Sequence, residues 1–301
     1  MTPDTGSGFS TGGQSEDKPT RRALLQKATR QLQAAGRQAP RQTAEWLLMD
    51  VLACDRARLH TRSGEGVEPD AAQKYMALVE RRIDGEPLQH ILGYTSFRGL
   101  RIDVSPEVMI PRPETEEVVE TALRALEGTT APRVLDVGTG SGCIALAIKH
   151  ERPDATVCAC DVSPAALRMA QANADRLELD IRFADADLFA DASLNKLPDQ
   201  LALLVSNPPY IPEEEADTLP AVVREYDPGR ALFTRGDPLR YYRRLATVGE
   251  TLCRSGGALV LETHTDYATD VADLLRGGGF EGVRVEEDLS GRPRIVRGRL
   301  A

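Results

Sequence analysis

The chain has 301 residues, 41% of them apolar and 28% charged, which is typical of a globular protein with one large and one small domain. It contains no apolar run near the roughly 20 residues that span a bilayer, and its first residues show no basic segment followed by an apolar stretch. Neither a membrane partner nor secretion is therefore predicted, and the expected location is the cytoplasm.

The net charge of −9 is unevenly distributed along the chain. Residues 1–112 carry 16 Lys and Arg against 14 Asp and Glu, a net charge of +2. Residues 113–301 carry 21 against 32, a net charge of −11. Proteins that grip a nucleic-acid backbone usually present a basic surface. The acidic larger part therefore argues against a direct nucleic-acid partner.

The N-terminal third predicts three consecutive regions. Residues 1–19 are rich in Gly, Ser, Thr and Asp, which predicts a disordered tail. Residues 20–86 predict a small helical bundle: helix-favouring residues dominate 21–35, an apolar stretch covers 44–52, and apolar residues recur at helical spacing over 70–84. Residues 87–112 then change to alternating apolar and polar positions among glycines, which predicts a connecting β-hairpin.

Residues 113–301 predict an α/β domain. Pro113 suits the first turn of a helix that runs to about residue 126. Strands are then predicted over 133–137, 156–160, 201–205 and 258–262, with a last strand pair near 281–286 and 293–299. Helices are predicted between them over 143–149, 164–175 and 239–248. This alternation predicts a mostly parallel, Rossmann-like sheet with helices on both faces.

The five cysteines predict no metal site. Cys158 and Cys160 lie one residue apart, whereas zinc-binding pairs usually have two to four intervening residues. Their alternation is typical of one face of a buried strand, so core packing is expected.

A glycine-rich loop follows the first strand of the α/β domain: Asp136-Val137-Gly138-Thr139-Gly140-Ser141-Gly142. Glycines let the backbone approach a ligand closely, and the helix that begins after this loop offers free N–H groups. Asp161 ends the next strand, where a carboxylate can accept the two hydroxyl hydrogens of a ribose. These features predict a nucleoside cofactor, although a purely structural glycine turn or a dinucleotide site would share some of them.

The strand at 201–205 runs into Asn207-Pro208-Pro209-Tyr210. The carboxyl ends of parallel strands face one crevice, so this loop is expected beside the glycine loop. The Asn207 side chain and the Pro208 carbonyl are two acceptors on a stiff backbone, and they can hold the two hydrogens of one –NH₂ group. Tyr210 can pack against a flat substrate group. The segment therefore predicts chemistry at a planar nitrogen, and the alternative is an ordinary proline turn.

These segments resemble the class I S-adenosylmethionine methyltransferases that modify exocyclic or amide nitrogens. The stretch from Gly85 to Gly93, Phe97, and Ile110-Pro111-Arg112-Pro113-Glu114-Thr115-Glu116 narrow the resemblance to the HemK/PrmC family. It covers about residues 20–300. The resemblance implies methylation, by S-adenosylmethionine, of the glutamine in the Gly-Gly-Gln motif of peptide-chain release factors. It also implies that residues 20–86 recognise the substrate.

The same resemblance implies roles for individual residues. Those expected to bind the cofactor are Gly138, Thr139, Gly140, Ser141, Gly142, Asp161, Asp187, Leu188 and Asn207. Those expected to hold the substrate amide are Asn207, Pro208, Pro209 and Tyr210, with Asn207, Pro208 and Tyr210 as the catalytic group. Two positions depart from the family pattern: Leu188 stands where an aromatic is frequent, and His264 where a glycine is common.

Three other functions share part of this pattern. A nucleic-acid methyltransferase acting on adenine or guanine amines also uses an Asn-Pro-Pro-Tyr loop, but the acidic larger domain disfavours it. A nucleoside-binding protein without catalysis would not need that loop. An NAD-dependent dehydrogenase is disfavoured by the loop and by the G-x-G-x-G spacing, because its pyrophosphate site uses G-x-G-x-x-G.

Overall fold

The computed structural model describes residues 18–301, arranged as two compact units. The first unit ends at Ile91, and the second comprises Leu92–Ala301. Most of the predicted disordered tail lies outside the described residues. Its last two residues, Lys18 and Pro19, are held by the first unit: the Val67 N–H donates to the Pro19 carbonyl over 2.9 Å.

The first unit is helical, as predicted. Its helices are α1 (Arg21–Ala34), α2 (Pro40–Val51), α3 (Arg56–Thr61) and α4 (Pro69–Ile83), and the unit boundary falls within α5 (Leu88–Leu92). The Thr20 hydroxyl caps α1 by accepting from the Ala23 N–H, as such side chains do at helix N-termini. The buried Tyr75 hydroxyl donates to the Ala44 carbonyl over 3.1 Å and fixes α4 against α2. The short helices α3 and α5 were not predicted, and α5 occupies the start of residues 87–112, which were predicted as a β-hairpin.

The second unit contains the remaining elements. Its first half comprises β1 (Tyr94–Phe97), β2 (Leu100–Asp103), α6 (Pro113–Ala125), β3 (Arg133–Val137), α7 (Cys143–Glu151), β4 (Thr156–Asp161), α8 (Pro164–Leu177), β5 (Ile181–Asp185), α9 (Asp191–Leu194) and β6 (Leu201–Ser206). Its second half comprises β7 (Ile211–Pro212), α10 (Ala221–Tyr226), α11 (Gly229–Leu232), β8 (Phe233–Thr234), α12 (Arg240–Leu252), β9 (Cys253–Glu262), α13 (Ala268–Gly277), β10 (Phe280–Glu287) and β11 (Pro293–Leu300). Two 3₁₀ helices lie at Glu213–Thr218 and Thr265–Tyr267.

The predicted mostly parallel sheet is confirmed. Seven strands lie in the order β10-β11-β9-β6-β3-β4-β5. Strands β9, β6, β3, β4 and β5 are mutually parallel, and β11 pairs antiparallel with both β9 and β10. Strand β5, a five-residue strand at the edge of the sheet, was not predicted. Strand β9 begins five residues before its predicted start, because exposed Arg254–Gly256 interrupt the apolar pattern that marks the strand.

The β1–β2 hairpin packs into the core of the second unit. Phe97 and Ile102 are buried among core side chains. The Asn173 side chain of α8 accepts from the Asp103 N–H over 2.8 Å and donates to the Asp103 carbonyl over 3.0 Å. The hairpin was predicted as a connection, and the structure places it as an integral part of the second unit.

The strand order reverses at the centre of the sheet. The chain passes from β3 outward to β4 and β5, then returns to β6 on the other side of β3. Val137 and Ser206, the last residues of β3 and β6, are paired, and the Ser206 hydroxyl donates to the Val137 carbonyl over 2.7 Å. Ligands of open α/β sheets bind at such a reversal, outside the carboxyl ends of the strands. The glycine loop and the Asn207–Tyr210 loop both begin there.

Candidate active site

The glycine loop is shaped by its own backbone and by Asp136. The buried Asp136 carboxylate accepts from the Thr139 hydroxyl over 2.7 Å and from the Ala145 N–H over 3.2 Å. Burial raises the pKa of Asp136 to about 7. The Gly138 and Thr139 N–H groups both donate to the Cys160 carbonyl, at 2.9 and 3.0 Å. The loop is thereby fixed to the end of β4.

Three glycines of the loop have left-handed backbone conformations, with φ of +73° at Gly138, +55° at Gly140 and +86° at Gly142. A Cβ added at Gly138 or Gly140 would project into open space. One added at Gly142 would lie 3.1 Å from the Ala170 Cβ and the Leu146 Cδ1. The first two glycines thus form an open cradle beside the sheet, and the third permits close packing of α7 against α8.

Asp161 stands at the carboxyl end of β4 with its carboxylate fixed. One oxygen accepts from the Gly140 N–H over 2.9 Å, and the other accepts from the Ser163 N–H over 2.8 Å. Each carboxylate oxygen can accept a further hydrogen bond. The side chain is therefore held in place and still able to accept the two hydroxyls of a ribose.

A cavity of about 230 Å³ lies between the two loops. Most of the residues predicted from the sequence line it: Gly138, Thr139, Gly140, Ser141, Asp161, Asp187, Leu188, Asn207, Pro208 and Pro209. Gly142 and Tyr210 do not line it. Several other lining residues were not predicted from the sequence, among them Met109, Thr115, Cys143, Cys160, Arg230 and Tyr241.

The wall near Asp187 is aromatic in spite of Leu188. The Phe189 and Tyr241 rings lie edge to face with their centroids 5.2 Å apart, and both residues line the cavity. The Arg240 guanidinium stacks 4.2 Å from the Phe189 centroid. The Leu188 carbonyl accepts from the Arg244 side chain over 2.6 Å. Aromatic surface is therefore present beside Leu188, and α12 supplies part of it.

The Asn207–Tyr210 loop is held by a buried hydrogen-bonded chain. The Asn207 Nδ2 donates to the Thr115 hydroxyl over 3.2 Å, and that hydroxyl donates to Glu262 Oε2 over 2.8 Å. The Tyr210 hydroxyl donates to Glu262 Oε1 over 3.3 Å. Thr115 and Glu262 are each 1% exposed. Burial raises the pKa of Glu262 to about 7, and it also raises that of Tyr210.

His264, the second departure from the family pattern, lies beside Tyr210. The two rings are edge to face with centroids 6.1 Å apart. The His264 Nε2 lies 3.4 Å from the Glu215 carboxylate, in the 3₁₀ helix that follows the Asn207–Tyr210 loop. A side chain at this position therefore adds a contact between the end of β9 and the segment after the loop.

The structure provides no arrangement for a metal ion or a membrane span within residues 18–301. No group of three or more His, Cys, Asp or Glu side chains there is placed to hold a metal ion. No helix in that part of the chain has both the length and the apolar character to cross a bilayer.

The two loops, on neighbouring strands and facing one cavity, place the chain in the class of S-adenosylmethionine-dependent methyltransferases with a Rossmann-like sheet. Residues 23–93 match the PrmC N-terminal domain family, and residues 117–226 match the methyltransferase small domain family. Proteins named release factor glutamine methyltransferase from Koribacter versatilis and Deinococcus radiodurans are 39% and 40% identical to it, each over 93% of this chain and 98% of their own. The chain belongs to the release factor glutamine methyltransferase family.

The fold is shared more widely. A 16S rRNA N2-G1207 methyltransferase from T. Thermophilus, solved with AdoMet and guanosine, superposes with a TM-score of 0.50 at 18% identity. The match covers 69% of this chain and 50% of that one. At this identity the likeness shows the sheet architecture alone, because one fold hosts many substrates.

Proposed function

We propose that this protein transfers a methyl group from S-adenosylmethionine to the side-chain amide nitrogen of the glutamine in the Gly-Gly-Gln motif of peptide-chain release factors. The observation that supports the proposal most directly is the orientation of the Asn207 amide at the cavity. Its nitrogen donates to Thr115, so its oxygen is available to an acceptor substrate at a cavity that also contains Gly138 and Asp161. A planar –NH₂ group is complementary to that oxygen together with the Pro208 carbonyl.

The residues present fit the methyl donor. The open cradle at Gly138 and Gly140 admits a group that approaches the backbone closely, and Asp161 offers two fixed acceptors to a ribose. Asp187 and Leu188, with the Phe189 and Tyr241 rings beside them, would border the adenine. S-adenosylmethionine, when bound, supplies an electrophilic methyl group on a positively charged sulfur.

The acceptor loop performs two tasks on the substrate amide. Hydrogen bonds from its two N–H groups to Asn207 and Pro208 would hold the nitrogen in place, and positioning of this kind is worth about 7–11 kcal/mol in favourable intramolecular cases. The same bonds would return electron density to a nitrogen whose lone pair is delocalised into the carbonyl. Tyr210, whose hydroxyl is engaged by Glu262, would pack against the flat group with its ring.

A folded protein substrate also needs a docking surface. We infer that residues 20–86 provide it, and that the protein acts in the cytoplasm, where its release-factor substrates would be found. The mildly basic N-terminal third contrasts with the acidic remainder, which suits recognition of a partner away from the reacting nitrogen. Flanking glycines in the substrate would let its loop enter a narrow crevice without side-chain clash.

The test is methylation with S-adenosylmethionine labelled in its methyl group. The expected result is label on one glutamine of a folded release factor, mapped by mass spectrometry to the Gly-Gly-Gln motif. A release factor whose motif reads Gly-Gly-Ala is the matched control and should take up no label. A short Gly-Gly-Gln peptide should react far more slowly, because remote binding energy no longer positions the glutamine.

Naked RNA and duplex DNA complete the experiment. Label on either nucleic acid, with none on the release factor, would contradict the proposal. That outcome would favour the alternative in which the Asn207–Tyr210 loop holds the exocyclic amine of a base.

A further inference from the structure

We propose that Thr115 and Glu262 are positioning residues, which set the orientation of the Asn207 amide so that its oxygen faces the acceptor substrate. This inference rests on the proposed function, since it assigns the amide oxygen to an incoming –NH₂ group. Both residues act through Asn207. The evidence is the direction of the hydrogen bonds among Asn207, Thr115 and Glu262, the burial of Thr115 and Glu262, and the positions of the three residues in the fold.

The direction of the hydrogen bonds follows from the inventory of donors. The two Glu262 oxygens accept the Thr115 and Tyr210 hydroxyl hydrogens at 2.8 and 3.3 Å. Thr115 has a single hydroxyl hydrogen, and that hydrogen is committed to Glu262. The Thr115 oxygen can then only accept from its other neighbour. The group that it meets on Asn207 must therefore be the –NH₂, at 3.2 Å.

The two orientations of an asparagine amide have nearly the same shape, so packing alone distinguishes them poorly. With the nitrogen on Thr115, the oxygen is left for the substrate. With the amide turned over, its –NH₂ would face the –NH₂ of the substrate, and two donors would meet with no acceptor between them. A donor left unsatisfied in a desolvated site is costly. The choice of orientation therefore decides whether the loop can hold its substrate.

Thr115 and Glu262 are buried, and their burial strengthens the hydrogen bonds that they make. Thr115 and Glu262 are each 1% exposed, so water competes little for their hydrogen bonds. Burying a carboxylate costs free energy because its charge is desolvated, and this raises the pKa of Glu262. The positive charge of Arg294 offsets part of that cost. An apolar side chain would fill the same space without this penalty, so the carboxylate is better explained by the hydrogen bonds that it accepts.

The fold brings the three groups together from three elements. Thr115 lies in the first turn of α6, Asn207 follows β6, and Glu262 ends β9. Strands β6 and β9 are neighbours, with Ser206 paired to Leu261, so their following residues meet at the same sheet edge. Thr115 itself also lines the cavity.

The experiment compares two substitutions at Thr115 that separate its hydroxyl from its methyl group. Thr115→Val keeps the shape and removes the hydroxyl, whereas Thr115→Ser keeps the hydroxyl and removes the methyl group. If the hydroxyl orients Asn207, Thr115→Val should lower kcat on folded release factor at least about 30-fold, and Thr115→Ser should stay within about threefold of wild type. The dissociation constant of S-adenosylhomocysteine should change less than about threefold in both variants.

The matched control lies on the same helix. Thr121 is 2% exposed, and its hydroxyl donates to a glutamate, Glu286, over 3.0 Å, but it is not at the cavity. Thr121→Val should leave kcat within about twofold of wild type. A purely packing role for Thr115 predicts the opposite order, with Thr115→Ser at least as damaging as Thr115→Val in both kcat and Tm.

Each outcome decides the inference. Equal kcat values for Thr115→Val and wild type, or a serine variant as slow as the valine variant, would overturn it. If Thr115→Val does not fold, Thr115→Ala replaces it, with Thr121→Ala as its control, and the serine variant must still exceed it in kcat by about tenfold. A wild-type enzyme that leaves release factor unmethylated would instead refute the proposed function, so the two failures are distinguishable.

Discussion

The two halves of the active site are built in different ways. In the cofactor half, around the loop after β3, the shaping contacts join residues close in sequence: Thr139 to Asp136 over 3 residues, Ala145 to Asp136 over 9 and Gly140 to Asp161 over 21. In the acceptor half, around the loop after β6, the shaping contacts join distant residues. Asn207 and Thr115 are separated by 92 residues, and Thr115 and Glu262 by 147.

This difference bears on how the halves can be changed. The cofactor half depends on backbone conformation and on one strand pair, β3 and β4. The acceptor half depends on side chains that converge only when the whole sheet has formed. We therefore expect substitutions to separate cofactor binding from turnover, and the following predictions test that separation.

The largest effect is expected for Asn207→Ala. It removes one of the two acceptors for the substrate amide, and loss of one such positioned group typically lowers kcat by about 10²–10³. The dissociation constant of S-adenosylhomocysteine, measured by calorimetry, should change less than about threefold. Asn195→Ala, at an exposed asparagine after α9, is the control and should alter neither quantity. Turnover within threefold of wild type would remove Asn207 from the acceptor half.

A smaller effect, on the other half, is expected for Asp161→Ala. It deletes hydrogen bonds to a charged group, each worth about 1.5–3 kcal/mol. S-adenosylhomocysteine should bind at least about tenfold more weakly. Asp185 is a useful control, because it ends β5 in register with Asp161 but is not at the cavity, so Asp185→Ala should bind normally. Unchanged affinity in Asp161→Ala would contradict the ribose assignment.

The smallest effect is a pH dependence of stability. Burial raises the pKa of Glu262 from 4.5 to about 7 in the folded protein, so folding favours its protonated form. The stability that this proton contributes is fully present below pH 4.5 and is lost as the pH rises through about 7. The side chain in Glu262→Gln cannot titrate. Raising the pH from 5 to 8 should therefore lower the Tm of the wild type by a few degrees relative to the Tm of this variant.

The control for this titration is internal. Asp136, whose pKa is also raised to about 7, remains in both proteins and cancels in the comparison. A Tm difference that stays constant over this pH range would mean that Glu262 does not titrate abnormally in the folded protein.

The same contrast explains what the sequence could predict. The glycine loop and Asp161 were recognisable because each is defined by its neighbours in the chain: a strand before, a helix after and a spacing between. The parallel sheet followed from alternating patterns of the same local kind. Strand β5 was missed because it is short, with three apolar residues among five, and its burial does not alternate regularly. The start of β9 was missed because the exposed residues Arg254, Ser255 and Gly256 interrupt its apolar pattern.

The acceptor half was only partly predictable. Asn207-Pro208-Pro209-Tyr210 is a local motif, but its partners are not. Nothing in the sequence predicts a role for Thr115 except its place in the segment that resembles the family. The sequence pattern at Glu262 indicates only a polar residue at the end of an apolar strand. Tyr210 was expected to pack against the substrate group, and the hydrogen bond from its hydroxyl to Glu262 is a further contact that no spacing in the sequence indicates. Convergence of residues from α6, β6 and β9 requires the tertiary structure.

A double-mutant cycle in turnover tests most directly the claim that the acceptor half is one coupled unit. Thr115→Val, Asn207→Ala and the double variant are compared with wild type on folded release factor, with S-adenosylhomocysteine affinity measured for all four. If Thr115 acts through Asn207, the valine substitution should lower kcat at least about 30-fold in the wild-type background and less than about threefold in the Asn207→Ala background. Equal losses in both backgrounds would contradict the account.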